Sequence, residues 1–296
     1  MTWPARSSPW DPRRQQNSPS VTVLSATRST LAREKSHHGG FQSYTNVFAN
    51  TAAKIPTQVK FESAVVLPLG LSTAVACLFM KDSGLGLQYP ALDLDPVPKK
   101  DQVVLVWGGA SSVGCNAIQL AAAAGYEVFA IASPRNFELM KKLGTTRVFD
   151  YQSPTIENDL VQGLEGKTLA GSVDAIVQNG SIQHLAAVAK HCKGKKHIAS
   201  TQLPPEDLPG DVTAKMAVAF TAKDDEAAGY VYNEYLPKAL GAGKFILAPE
   251  SHVVGHGLQD IQVAVEMHKK GVGEKVGRYI VIIYVKARVC RCMWDS

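Results

Sequence analysis

Residues 103–114 constrain the fold more than any other part of the chain. Val103-Val104-Leu105-Val106-Trp107 is an unbroken apolar run, and it leads directly into Gly108-Gly109-Ala110-Ser111-Ser112-Val113-Gly114. A run without polar alternation marks a strand buried on both faces, as in a parallel sheet covered by helices. Cys115–Ala124 then reads as a helix of small and apolar residues, closed by Gly125 as a left-handed C-cap. The pattern recurs: strand Glu127–Ala132, helix Phe137–Leu143, strand Thr146–Phe149, strand Val173–Val177, a helix around 183–191 and strand His197–Ser200. Strands alternating with helices predict an α/β, doubly wound parallel sheet with right-handed crossovers, that is, a Rossmann-type domain. Upstream, a turn at Gly39-Gly40 precedes an alternating strand over 41–47, and Ser72–Met80 starts a buried helix. Residues 81–101, with Gly84, Gly86, Pro90, Pro96 and Pro98, read as a surface loop. Residues 257–271 read as an amphipathic helix and Tyr279–Tyr284 as a late strand.

The 296 residues suffice for about two domains. At 45% hydrophobic and 19% charged, the composition is that of a globular protein. The net charge of +5 sits in the tails: residues 1–40 carry +4 and residues 285–296 carry +2, which leaves the body near neutrality. A nucleic-acid binder carries its excess charge on the folded body, along the phosphates, so nucleic acid is excluded as a partner. Five cysteines argue against a disulfide scaffold and for a reducing, cytoplasmic setting. Residues 1–36 lack periodicity and are predicted to be disordered. Their Arg- and Ser-rich, acid-poor composition is that of a mitochondrial transit peptide, the second choice of compartment, and no apolar segment marks a secretory signal. The longest apolar stretch, Ala64–Met80, is interrupted by Pro68, Gly70, Ser72 and Thr73 and falls short of a membrane span, so it reads as a loop running into a buried helix.

A strand, a small-residue turn and a helix together form a dinucleotide site. N–H groups at a helix N-terminus, with the helix dipole, attract a pyrophosphate, and the turn must lack bulk for the phosphates to reach the backbone. The G-x-G-x-x-G pattern appears as Gly109-x-Ser111-x-x-Gly114, with Ser in the middle position. The end of the second strand decides between NAD and NADP: a carboxylate there accepts the ribose 2′-OH and repels a 2′-phosphate. The chain reads Ala132-Ser133-Pro134-Arg135-Asn136, with no acid until Glu138. Ser133 and Asn136 offer hydrogen bonds and Arg135 a guanidinium suited to phosphate, which predicts an NADP site.

Taken together, these residues resemble the medium-chain dehydrogenase/reductase superfamily, and within it fungal zinc-independent enoyl reductases and quinone-reductase-like oxidoreductases. The resemblance rests on Gly40-Phe41-Gln42-Ser43-Tyr44, on Val66-Leu67-Pro68-Leu69-Gly70-Leu71-Ser72-Thr73-Ala74, on Val106–Gly114, on Phe149-Asp150-Tyr151 and on Gly271-Val272-Gly273-Glu274-Lys275. It covers about residues 40–284. It implies that Gly109, Ala110, Ser111, Ser112 and Val113 hold the pyrophosphate and that Ser133, Arg135 and Asn136 hold the 2′-phosphate. Tyr151 would flank the adenosine phosphate, with Thr73 near the nicotinamide and Asn179 and Gly180 near its ribose. It further implies five segments: 1–39 outside the family pattern, 40–71 as the remnant of a GroES-like domain, 72–235 as the NADP-binding Rossmann domain, 236–284 returning to the GroES-like domain, and 285–296 as a stray tail. Family members begin with a complete GroES-like barrel, whereas the 40 residues here do not resemble one, so no catalytic residue is carried over.

Zinc in this superfamily needs four closely spaced cysteines or Cys and His ligands from the barrel. Cys77, Cys115, Cys192, Cys290 and Cys292 form no C-x-x-C pair, and no metal is expected. His252 and His256 are four apart, but Gly255 and Gly257 disfavour the helix that would place both on one face. None of the nine tyrosines has Lys four residues on, which removes short-chain dehydrogenase chemistry, and Gly109-x-Ser111-x-Val113 lacks the last glycine of a hydrolase elbow. The resulting expectation is an NADPH-dependent, metal-independent oxidoreductase acting on a small activated alkene. The alternative is a non-catalytic dinucleotide-binding protein lacking a complete substrate site. A missing wall would expose apolar surface and favour homo-oligomers, and no membrane is expected as a partner.

Overall fold

The computed structural model describes residues 47–95, 97, 101–256, 260–269 and 280–284. Six strands form one sheet: β1 (Gln102–Trp107), β2 (Glu127–Ala132), β3 (Arg147–Asp150), β4 (Thr168–Asp174), β5 (His197–Ser200) and β6 (Thr213–Met216). Their order is β3-β2-β1-β4-β5-β6 and every pairing is parallel. The order reverses between β1 and β4, which is where ligands sit in open α/β sheets, outside the carboxyl ends of the strands.

Both faces are covered because the strands are apolar on both sides. Val104, Val106, Val128 and Ala130 point into one apolar cluster, with α1 (Pro68–Phe79), α2 (Ser112–Ala123) and Met140 of α3 (Phe137–Lys142). Val103, Leu105, Trp107, Phe129 and Ile131 point into the other, with α4 (Ile156–Gly163) and α5 (Ser181–His191). The first cluster continues into α6 (Glu226–Gly229), a π-helical turn over Tyr230–Tyr235, and α7 (Leu236–Gly241). Ala64, Val66, Leu67, Leu236 and Leu240 share it with α2. A second, two-stranded parallel sheet pairs β7 (Ser251–His256) with β8 (Ile280–Tyr284), and α8 spans Ile261–Lys269.

α1 is apolar all round, and Gly70–Phe79 are buried on every side. The stretch Phe61–Phe79 is long and apolar enough to cross a bilayer, yet 67% of it is buried inside the protein. The loop after it is less superficial than its composition predicts, since Leu85 and Leu87 reach the core.

Differences from the sequence reading have identifiable causes. β4 ends at Asp174 rather than Val177, because the Asp174 carboxylate accepts the Ile176 and Val177 N–H groups and curls the chain out of the sheet. β6, β7 and the helices over 226–241 carry too little periodicity to show in sequence, and α4 is only eight residues long. His252 and His256 lie on β7, whose register shifts between Val253 and Gly255. The strand over 41–47 (up to residue 46), the turn at Gly39-Gly40, the 271–275 motif and both tails lie outside the described residues.

Leu105 is fully buried in the central strand. Leu105→Ala is expected to lower unfolding free energy by about 2–5 kcal/mol, read as an earlier midpoint in urea. A midpoint equal to that of the parent would contradict its central placement.

Candidate cofactor site

The loop after β1 is fastened from below. Gly108 and Gly109 both donate their N–H to the Ile131 carbonyl, at 3.0 and 3.1 Å, and Ser111 N–H donates to Gly108 O at 2.9 Å. The Ser111 hydroxyl caps α2, accepting the Gly114 N–H at 3.0 Å. Gly114 can be nothing larger, since a Cβ there would overlap the Gly108 carbonyl and lie 2.7 Å from Gly109 Cα. Gly108 is left-handed (φ +76°), and a Cβ on it would come within 2.6 Å of the Ile176 side chain. With these bonds made, the N–H groups of Ala110, Ser112 and Val113 have no acceptor among the described residues. They stand at the partly exposed N-terminus of a 12-residue helix, where the dipole favours an anion. Cys115, beneath them, donates to Gly109 O at 3.5 Å, and burial pushes its thiol up to about 12, so it adds no negative charge under the loop.

The second wall is the end of β2. Ser133 is extended and half-buried, and Pro134–Asn136 form one 3₁₀ turn. Asn136 is 5% exposed, and its amide donates to Ser133 Oγ at 3.0 Å. Asn136 thereby leaves the Ser133 hydroxyl to donate outward. Arg135 is exposed. Glu138 is held by Lys141 at 2.8 Å, and that hydrogen bond keeps its carboxyl below the usual carboxylate range. Ala132 pairs with Asp150, which sets the partly exposed Tyr151 beside Ser133.

The third wall follows β4. Asp174 has no exposed surface; its Oδ1 accepts the N–H groups of Ile176 at 3.2 Å and Val177 at 2.8 Å, and its Oδ2 accepts the Ser181 hydroxyl. Burial raises its carboxyl above the ordinary value, against these three bonds. The loop so gripped contains two non-glycine residues at positive φ, Val177 (47°) and Asn179 (53°), and then Gly180 (75°). Such conformations persist only where the surroundings impose them. Asn179 is exposed at the tip. Behind the loop, the His184 ring stacks on Trp107 (5.4 Å, 4°) and its Nδ1 meets Glu157 at 2.7 Å.

The fourth wall is the start of α1. A Cβ on Gly70 would overlap Ser112 Oγ, so α1 crosses hard against the start of α2. Thr73 lies one turn further on the same face, nearly buried, its hydroxyl donating to Leu69 O at 2.8 Å. Ser72 hydrogen-bonds the buried Tyr232 hydroxyl at 2.7 Å. Tyr232 itself donates to Pro68 O at 3.0 Å, which leaves Ser72 as the donor of that pair.

Of the residues named from sequence, the fold therefore brings Gly109, Ala110, Ser111, Ser112, Val113, Ser133, Arg135, Asn136, Tyr151, Thr73 and Asn179 to the carboxyl ends of β1–β4 or against them. Ser111 and Asn136 act there as supports for other groups, and Gly109 has its N–H committed to β2. Asp174, Ser181 and Ile176 were not foreseen. An Asp followed by N–H groups two and three residues on is an Asx-type turn, and that local signal was available.

No protein-family model matches the chain. It is 42% identical over 245 residues to "Dehydrogenase azaJ" of Aspergillus niger, covering 81% of the chain and 69% of that protein. It is 40% identical over 280 residues to "Dehydrogenase pigH" of Monascus ruber, covering 86% and 74%. The "Trans-enoyl reductase himH" of Aspergillus japonicus is 32% identical over 249 residues, covering 82% and 69%. Among solved structures, the CurK enoyl reductase superposes with a TM-score of 0.58 at 19% identity, covering 79% of this chain and 66% of that one. A quinone oxidoreductase of Pseudomonas syringae pv. Tomato DC3000 gives 0.57 at 18%, covering 79% and 68%. At such identities the structures show the fold alone.

Asp174→Ala removes the acceptor from two N–H groups and one hydroxyl. It is expected to cost on the order of 3 kcal/mol in chemical denaturation and to change the near-ultraviolet dichroism of Trp107. Asp174→Asn, which keeps one oxygen for the N–H pair, is expected to lose less. Equal stability of Asp174→Ala and the parent would contradict the gripping role.

Proposed function

The chain belongs to the medium-chain dehydrogenase/reductase superfamily, among enoyl-reductase-like proteins, and on that premise we propose an NADPH-dependent oxidoreductase that delivers hydride to the β-carbon of an activated alkene. The substrate class is an enone, a quinone or an enoyl thioester. The observation that carries the dinucleotide reading is the row of Ala110, Ser112 and Val113 N–H groups, unpaired among the described residues, above a loop that admits no side chain at Gly114. NADPH rather than NADH is supported by the end of β2. Ser133 presents a donor, Arg135 a guanidinium, and the nearest downstream acid, Glu138, is already paired with Lys141.

A bound dihydronicotinamide supplies the hydride. The chain's residues do the rest by binding and orientation. Ala110, Ser112 and Val113 receive the pyrophosphate, Ser133 and Arg135 the 2′-phosphate, and Tyr151 flanks the adenosine phosphate. Asn179, on the loop gripped by Asp174, and Thr73 border the nicotinamide end. The conjugated carbonyl of the substrate already withdraws electrons from the alkene, so hydride transfer needs no metal, and solvent supplies the proton. Among the described residues no three His, Cys, Asp or Glu side chains converge as metal ligands.

One observation favours a second reading. Phe61, Val65 and Leu69, spaced four apart at the approach to α1, are 47, 40 and 62% exposed. A face of this kind calls for a covering wall; with that face open, the nicotinamide end stands in water, and the protein binds a dinucleotide without turning it over.

Calorimetric titration is expected to give micromolar NADPH affinity and much weaker NADH affinity. Arg135→Ala is expected to weaken NADPH about 10- to 150-fold, the worth of one charge-assisted bond of about 1.5–3 kcal/mol, and to spare NADH. Equal affinities for the two cofactors would overturn the NADP assignment. Quinone-dependent oxidation of NADPH by the purified chain supports the enzyme, and tight NADPH binding with no turnover supports the second reading.

A further inference from the structure

The loops after β3 and β4 border the cofactor crevice from two sides, and each is fastened to the helix that follows it. After β3, the Ser153 and Thr155 hydroxyls both donate to Asp159 Oδ2 of α4, at 3.2 and 3.0 Å, so the segment carrying Tyr151 is tied to α4. After β4, Gln178 N–H donates to Ser181 Oγ at 3.1 Å and His184 N–H donates to Gly180 O at 3.0 Å, so the loop carrying Asn179 is tied to α5. The span between the two loops is therefore set by how the first turns of α4 and α5 meet.

His184 stands at that meeting. Glu157 lies in the first turn of α4, and a carboxylate can only accept, so His184 Nδ1 carries a proton and donates it to Glu157 Oε1 at 2.7 Å. The face of the same ring lies flat on Trp107 (5.4 Å, 4°), the residue before Gly108. Its Nε2 edge comes to 3.8 Å from where a Cβ on Gly180 would lie. One ring thus touches the strand that feeds the glycine loop, the helix behind Tyr151 and the loop of Asn179. The Glu157 pair adds little to overall stability, since the two side chains are 36 and 46% exposed. What it fixes is direction: stack and hydrogen bond together leave the ring one orientation. The loop beside it needs such support, because Val177 and Asn179 hold positive φ, a conformation that surroundings must impose.

We propose that His184 is a positioning residue: through Glu157 and Trp107 it holds the Asn179 loop at a fixed span from the Tyr151 segment, so that the crevice is preorganised for a ligand reaching both. The identity of that ligand rests on the NADPH reading of the site; the effect on the loop does not. Without the tie the loop samples further conformations, and ordering it again on binding costs affinity. A ligand that touches only the Tyr151 side does not bear that cost.

His184→Phe keeps a flat ring for Trp107 and removes the bond to Glu157, whereas Glu157→Gln keeps an oxygen that accepts from Nδ1. In the cofactor-free full chain, amide hydrogen exchange over residues 176–181, followed by mass spectrometry, is expected to quicken about fivefold in His184→Phe and to stay near the parent rate in Glu157→Gln. In calorimetry, His184→Phe is expected to bind NADPH about fivefold more weakly, while adenosine 2′,5′-bisphosphate, which reaches only Ser133, Arg135 and Tyr151, keeps the parent affinity. Parent-like exchange in His184→Phe, or an equal loss of affinity for both ligands, would overturn the positioning role, since packing alone would then account for the ring. Should the parent bind no NADPH, the cofactor reading fails, and the exchange rates alone decide the tie. Should His184→Phe fail to fold, Glu157→Ala cuts the same tie from an exposed position, and unchanged exchange there would overturn the proposal equally.

Discussion

Everything at the cofactor end depends on how closely α2 approaches β1. With no side chain at Gly114, the helix rests on the Gly108 carbonyl, and this contact aims the Ala110, Ser112 and Val113 N–H groups at the surface. Two other segments exploit the same lack of bulk. Ile176 fills the space over Gly108, and Ser112 fills the space beside Gly70 of α1. Three walls of the site thus meet through positions where a Cβ would collide. The spacing between α1, the glycine loop and the loop after β4 cannot change at one wall alone, since a tightly packed interior has no slack to absorb it.

Loops at a sheet edge lack a ladder to satisfy their backbone groups, and buried side chains take that role here. Asp174 serves the Ile176 and Val177 N–H groups. Tyr232, buried on the π-helical turn, serves the Pro68 carbonyl at the first turn of α1 and is itself fixed by Ser72. Gln119 of α2 both donates to Ile246 O at 3.0 Å and accepts Ile246 N–H at 2.7 Å, binding an irregular segment as a strand would. Each of these residues is more than nine-tenths buried and has its polar atoms paired, the arrangement in which a buried polar group specifies one conformation instead of destabilising it.

The two ends of the sheet handle charge by different means. At the carboxyl ends, partial charges of fixed backbone N–H groups and a helix dipole face solvent, which suits a ligand whose position must be exact. At the amino end of β5 and on β6, the Lys195 and Lys215 ammonium groups reach over to the Leu85 and Asp82 carbonyls of the loop after α1.

The strand–glycine–helix order, the strand residues of β1, β2 and β5, and the location of the dinucleotide loop were legible in sequence. Each depends on neighbours within a dozen residues: an apolar run, a turn without bulk, a helix start. Ser111, Ser133 and Asn136 were singled out in sequence, but the hydrogen bonds they make were not legible, because which way a polar group points depends on how the packed backbone turns it. β6 and α4 were illegible because an edge strand and a short, sparsely apolar helix are stabilised by the sheet they join. Only the tertiary structure could decide the end of β4, the grip of Asp174 on a left-handed loop, and the reach of Lys195 and Lys215 to the loop after α1. Those features join residues on separate segments, and their energies exist only once burial has removed water from between them.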